Sequence, residues 1–108
     1  MPFAKISPQN LIKGTVISVD RFGNLLTNIE AKTIFQLCRQ NTDKVPVVRL
    51  GNSSVKGLSL TYQSVPEKSG LMIIGSRNCL EVAVNRGNAS RIFNVGKKDS
   101  IVVTLENG

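Results

Sequence analysis

Three short turn segments carry the residue types that recognise a heterocycle or an anion. In Asp20-Arg21-Phe22-Gly23-Asn24, with Thr27-Asn28-Ile29 behind it, the glycine lets a ligand approach the backbone closely and Phe22 offers an aromatic face. Asn24 adds a carboxamide that both donates to and accepts from a base edge, which suits adenine. In Gly75-Ser76-Arg77-Asn78, a hydroxyl and a planar guanidinium can clasp a carboxylate or phosphate. In Arg86-Gly87-Asn88-Ala89-Ser90, backbone amides at a helix start favour an anion or the polar edge of a heterocycle. The first and third turns also have a plainer reading, with Phe22 in the core, Gly23 and Asn24 as a hairpin turn and Asn88 as an ordinary helix cap, and the Ser76-Arg77 pair taken alone is a weak signal.

Catalytic constellations are harder to assemble. The chain has no histidine, and its seven acidic residues are dispersed, so neither a nucleophile-base pair nor a carboxylate pair can be built from spacing. Cys79 close to Arg77 admits an activated thiol, since positive charge lowers a thiol pKa, but a strand cysteine facing the core is the stronger reading. Cys38 and Cys79 are the only cysteines; without histidine they cannot make a tetrahedral zinc site, and buried, reduced thiols are expected.

The elements that must position the turns are short. Residues 1–10 form a lead-in segment, closed by Ser7-Pro8, and residues 11–108 form a single domain. Alternation predicts strands over Leu11–Val19 and Leu25–Ile29, a hairpin whose turn needs the freedom of Gly23. Ile34, Leu37 and Cys38 fall at i, i+3, i+4 and predict a short helix between Ala31 and Gln40. A second hairpin pairs Val45–Leu50, with Pro46 at an edge position, and Val55–Tyr62. A third pairs Leu71–Ile74 with Cys79–Asn85. Asn88 caps a helical turn through Phe93, and Ile101–Leu105 is the last strand. About seven short strands with tight turns and one or two short helices predict an all-β fold, a small antiparallel β-barrel or compact sandwich.

With 108 residues, 41% hydrophobic and 19% charged, the chain has room for one domain that buries roughly two thirds of its unfolded surface. No apolar run approaches the roughly 20 residues that span a bilayer, and no signal-peptide stretch opens the chain, so a cytoplasmic protein is expected. The net charge of +7 raises nucleic acid as a partner. Its 14 Lys and Arg are spread along the chain, however, and four Phe and one Tyr give no basic-aromatic interleaving, so that partner ranks below a nucleoside.

Taken together, the turns are more specific. Asp20 to Ile29, then Tyr62, then Gly75 to Asn85, then Gly87-Asn88-Ala89 resemble, in this order, the C-terminal domain of the S-adenosylmethionine hydroxide adenosyltransferases, relatives of the fluorinating and chlorinating enzymes. The resemblance runs from about Leu11 to Leu105. It implies a small antiparallel β-barrel, with the S-adenosylmethionine site lying between the barrel and the N-terminal domain of a neighbouring subunit in a trimer. It further implies that Asn24 hydrogen-bonds the adenine, that Phe22 packs beside it, and that the backbone at Asn88-Ala89 completes the base pocket. Asp20 would take the methionine ammonium, with Ser76 and Arg77 on the carboxylate.

The reaction implied is attack of water on the ribose C5′ to give adenosine and methionine, with S-adenosylmethionine as substrate and no separate cofactor. The Asp-Arg-His set that activates the water belongs to the N-terminal domain, and this chain has no histidine. The expectation is a substrate-binding domain that is not a complete enzyme alone, either a piece of a longer hydrolase or a separately encoded barrel. The alternative is a stand-alone barrel that binds nucleic acid or serves in oligomerisation. Two features bear on the branch: Asp20-Arg21-Phe22 lacks the proline of the halogenating enzymes, and Glu81 to Asn85 reads as the hydrolase version. Asn78 stands where the family usually has glycine, which implies a displaced tip after Arg77.

Overall fold

The computed structural model describes residues 2–108, so the lead-in segment is seen from Pro2 onward and Met1 lies outside the described residues. Seven strands form one antiparallel sheet: β1 (Ile12–Val19), β2 (Leu25–Glu30), β3 (Lys44–Leu50), β4 (Ser53–Lys56), β5 (Gly70–Ile74), β6 (Cys79–Val84) and β7 (Ser100–Asn107). Their order across the sheet is β4-β3-β7-β1-β2-β6-β5. The two outer strands approach each other where Leu58 bridges Met72 and the Ser59 amide donates to the Met72 carbonyl, so the barrel is nearly closed. Closure of this kind removes most of the exposed edge that an open sheet would leave.

The inward residues are those the alternation picks out. Ile12 and Val16 of β1, Leu25 and Ile29 of β2, Val48 and Leu50 of β3, Leu80 and Val82 of β6, and Ile101 and Val103 of β7 form one buried cluster. Helix α1 (Ala31–Arg39) adds Ile34 and Leu37 to it, which are the apolar stripe predicted from spacing. Glu30 at its N-cap makes no side-chain capping bond, and the Ala31 amide instead donates to the carbonyl of Asn78 at the β5–β6 tip. A second short helix, α2 (Ala89–Phe93), is capped by the Asn88 side chain.

All three predicted hairpins form, and two details differ. The strand expected over Val55–Tyr62 ends at Lys56. Gly57 turns the chain with φ +86°, Leu60 is 94% exposed, and Tyr62–Ser64 is a 3-10 turn, so the alternation of Leu58, Leu60 and Tyr62 is a loop pattern and not a ladder. Pro46 is not on an edge, because β3 lies between β4 and β7. Its carbonyl accepts from Gly57, so its missing donor faces the same side, where β4 has already ended.

Where the ladders break, side chains stand in for the backbone. The β2–β6 register shifts between Leu26 and Glu30, and the buried Thr27 hydroxyl fills the gap, donating to the Leu80 carbonyl and accepting from the Ile29 amide. The lead-in segment folds back on the barrel: the Ala4 amide donates to the Asn28 carbonyl, and Asn28 Nδ2 donates to the carbonyl of Pro2. One hydroxyl is left over. Thr104 Oγ1, opposite Val47 on the outer face, is buried without a partner among the described residues, in a row spanned by the Arg49–Glu106 ion pair. Thr104→Val keeps the β-branched shape and removes the orphan, and it is expected to raise stability by about 1 kcal/mol in urea denaturation.

Candidate functional site

The site begins with the β1–β2 turn, which is held by its own side chains. Asp20 Oδ1 accepts from the amides of Phe22 and Asn24, both at 2.9 Å, and Oδ2 accepts from Asn24 Nδ2 at 3.0 Å. The Asp20 amide donates to the Asn24 carbonyl, and the Gly23 amide donates to the Asp20 carbonyl. Gly23 has φ +87°, and a Cβ there would overlap the carboxamide of Asn88. The turn therefore rests directly on the start of α2.

That contact also uses up the helix N-terminus. Ser90 donates its amide to the Gly23 carbonyl, Arg91 to Asn88 Oδ1 and Ile92 to the Asn88 carbonyl. The Ala89 amide takes no part in these bonds, while its side chain is fully buried. Capping by Asn88 and anchoring of the turn are thus the main work of this segment, and the free-amide reading survives only at Ala89.

Between these pieces runs an open groove of about 750 Å³, lined by Asp20, Phe22, Asn24, Tyr62, Val84, Arg86, Gly87 and Asn88. Phe22 is 63% and Tyr62 38% exposed, so two aromatic side chains are only partly buried at the groove wall. Such rings retain apolar surface that a planar ligand can cover. The Arg21 guanidinium lies 5.0 Å from the Phe22 ring centre, close enough for a cation-π contact. With one Asn24 Nδ2 hydrogen on Asp20, the carboxamide keeps a second hydrogen and Oδ1, one donor and one acceptor.

Four of the seven predicted residues, Asp20, Phe22, Asn24 and Asn88, therefore line one groove, while Ala89, next to Asn88 in the chain, is buried and not part of the lining. Ser76 and Arg77 do not line it. Both are exposed at the β5–β6 tip, and Arg77 borders a separate hollow with Cys79 and Glu81. Asn78 takes the left-handed conformation, φ +62°, and closes the tip with a bond to Gly75, so it fills the conformational role of a glycine. Thr27 and Asn28, placed behind the first turn in the sequence, are buried and bonded within the barrel.

Sequence reasoning missed Glu81. It faces outward on β6, opposite Leu26 and Ile73, with its carboxylate packed over Gly75. Burial and the neighbouring Asp20 raise its pKa, while Arg77 opposes the shift. Tyr62 is raised by burial and then by Glu81 and Asp20, so its phenol stays neutral in neutral solution. Cys38 and Cys79 are free but only partly buried. Burial raises Cys79 first, Glu30 adds to this, and the lowering by Arg77 does not prevail, so an activated thiol is not what the site provides.

Fold and groove together define a seven-stranded antiparallel barrel with an aromatic-walled recess beside its first hairpin turn. Comparison with known proteins gives the particular family. A profile of the SAM hydroxide adenosyltransferase C-terminal domain matches residues 14–102, and the chain belongs to that family. It is 33% identical over 93 residues to the (R)-S-adenosyl-L-methionine hydrolase of Thermus thermophilus, covering 86% of this chain and 31% of that enzyme. Among solved structures, an uncharacterized conserved protein from Thermotoga maritima is similar at a TM-score of 0.81 and 30% identity, over 96% of this chain and 39% of that one. A conserved hypothetical protein from Thermus thermophilus gives 0.67 and 27%, over 95% and 38%. The chain thus spans about a third of the length of these relatives. None of its described helices is long and apolar enough to cross a membrane.

Proposed function

We propose that this chain is the nucleoside-recognising domain of an S-adenosylmethionine hydrolase, supplying one wall of a site whose other wall and water-activating residues belong to a separate N-terminal domain, in a trimer. The observation that carries this reading is the groove itself, in which the partly exposed rings of Phe22 and Tyr62 stand with the carboxamides of Asn24 and Asn88. An adenine needs a stacking face and a donor-acceptor pair at its edge, and Phe22 and Asn24 offer both. The similarity to an S-adenosyl-L-methionine hydrolase supports the substrate, and the short span of the chain relative to that enzyme supports a catalytic domain elsewhere. The openness of the recess on the barrel surface fits a ligand that is covered from the other side.

The role of this domain is then to hold the adenine and orient the ribose, while displacement of methionine by water is carried out by groups outside it. Titration of the chain with adenosine, followed by NMR, is expected to shift the amides of Phe22, Gly23, Asn24 and Ala89. Asn24→Ala, which removes the edge contact, is expected to weaken adenosine by about tenfold, the worth of one well-placed hydrogen bond. Shifts confined to other parts of the barrel would overturn the assignment of the groove.

A further inference from the structure

The outer side of α1 carries residues that the barrel does not use. Ile34 and Leu37 turn into the core, and residues three and four apart on a helix are neighbours, so Lys32, Phe35 and Arg39 form one exposed row on the opposite side. Phe35 is 48% exposed, and Phe3 of the lead-in segment is 54% exposed. Between the two elements lies an open hollow of about 530 Å³, whose lining includes Phe3, Lys5, Glu30, Lys32 and Gln36. Lys32 belongs to both the hollow and the helix row, so Phe3, Lys5, Lys32, Phe35 and Arg39 make one continuous patch in which rings and cations alternate. The linear sequence hides this alternation. It arises from the helical period and from the bonds of Pro2 and Ala4 to Asn28, which fold the lead-in segment back toward α1. The one acid of the hollow is Glu30, 3.7 Å from the Lys32 ammonium, and a solvent-exposed pair of this kind holds Lys32 only weakly.

We propose that this patch binds single-stranded nucleic acid, a function separate from that of the nucleoside groove. Aromatic faces accept bases of any kind, and cations set between them follow the phosphates that link those bases. Phe3 and Phe35 supply the faces, and Lys5, Lys32 and Arg39 the cations. Charge favours this occupant: three cations face one acid on the patch, and the chain as a whole carries +7, which draws a polyanion. Two rings interrupted by cations also match an alternating base and phosphate chain better than they match the continuous apolar face of a protein. A duplex keeps its base faces stacked and out of reach, so the single strand is the form that fits. The groove and the patch lie at opposite ends of β2, since Asn24 precedes its first residue and Glu30, its last, opens α1. A ligand in one leaves the other open.

The test is fluorescence anisotropy of a labelled deoxythymidylate dodecamer titrated with the 108-residue chain. Thymine does not present the adenine edge assigned to Asn24, so saturating adenosine should leave the binding unchanged. Three phosphate contacts at about 0.7 each predict a slope of about −2 for the logarithm of affinity against that of salt, a loss of about tenfold between about 50 and 150 mM. Phe35→Ala and Phe35→Leu should each weaken binding by about tenfold, while Phe35→Tyr, which keeps a stacking face, should retain most of it. Phe35 is exposed, so these variants keep the fold. Arg39→Gln should reduce the slope by about 0.7, and Lys97→Gln, an equal loss of charge in the exposed turn before β7, should reduce neither slope nor affinity by as much. No binding at low salt, or a slope near zero, overturns the proposal. Full affinity in Phe35→Ala or Phe35→Leu overturns it too, because diffuse charge or apolar cover would then account for the binding. Displacement by adenosine also overturns it, since the strand would then occupy the groove.

Discussion

Gly23→Ala is expected to lower the stability of the domain by about 3 kcal/mol and to abolish adenosine binding in the groove. Two terms contribute. An alanine held at a positive φ costs about 1–2 kcal/mol relative to glycine, and Gly23 stands at +87°. The new Cβ would also occupy the space of the Asn88 carboxamide, which must then leave its place. Asn88 caps α2 through Arg91, and loss of such a cap costs about 1 kcal/mol more. Since Asn88 lines the groove and the turn carries Phe22 and Asn24, the same displacement reaches three groove residues at once. Gly57 is the natural control, for it has φ +86° but a Cβ added there would meet nothing within 4 Å. Gly57→Ala should therefore show only the backbone term and leave adenosine binding as it is. Urea denaturation and NMR titration of both variants measure the difference; equal destabilisation by the two would mean that the Gly23–Asn88 contact does not hold the site together.

This coupling explains what could and could not be read from the sequence. The turn Asp20 to Asn24 was legible because its residue types have specific turn chemistry, and the hairpins were legible because Leu80, Val82 and Val84 and their like alternate. The helix was legible from Ile34 and Leu37 at a spacing of three, and both are buried. Local pattern failed where the partner decides the outcome. Leu58, Leu60 and Tyr62 alternate as well as any strand, yet β4 ends at Lys56, where Gly57 turns the chain with φ +86°, and Leu60 is left in solvent. Pro46 reads as an edge residue until β7 is known to pair on its other side. At the site, resemblance to the family named Ser76 and Arg77, and the barrel holds both exposed at the β5–β6 tip, outside the lining of the groove. Glu81 could not be singled out beforehand, because its relation to Asp20 depends on β6 pairing with β2, a contact between residues far apart in sequence.

Asn28→Ala is the second change with a large expected effect, about 2–3 kcal/mol, and its cause is backbone bonding rather than ligand contact. Asn28 is 8% exposed; its Oδ1 accepts from the Thr15 amide at 2.8 Å and its Nδ2 donates to the Pro2 carbonyl at 2.9 Å. Thr15 sits where β1 leaves β7 and its pairing with β2 begins at Val16, so its amide has the Asn28 side chain as its acceptor there. Removing that acceptor leaves a partly buried donor unpaired, which costs about 1–3 kcal/mol, and the lost bond to Pro2 adds about 1 kcal/mol. The barrel should survive, since Ile12, Val16 and Ile29 remain fully buried around the site of the change. The lead-in segment should not stay in place, because Pro2 and Ala4 are both tied to Asn28, Ala4 through the backbone carbonyl. Hydrogen exchange separates the two bonds: Asn28→Asp keeps an acceptor for Thr15 but loses the donor to Pro2. Faster exchange at Ala4 in both variants, with faster exchange at Thr15 only in Asn28→Ala, is the expected pattern. Unchanged exchange at Ala4 in both would mean that the segment is held by its Ile6–Ile12 bridge and not by Asn28.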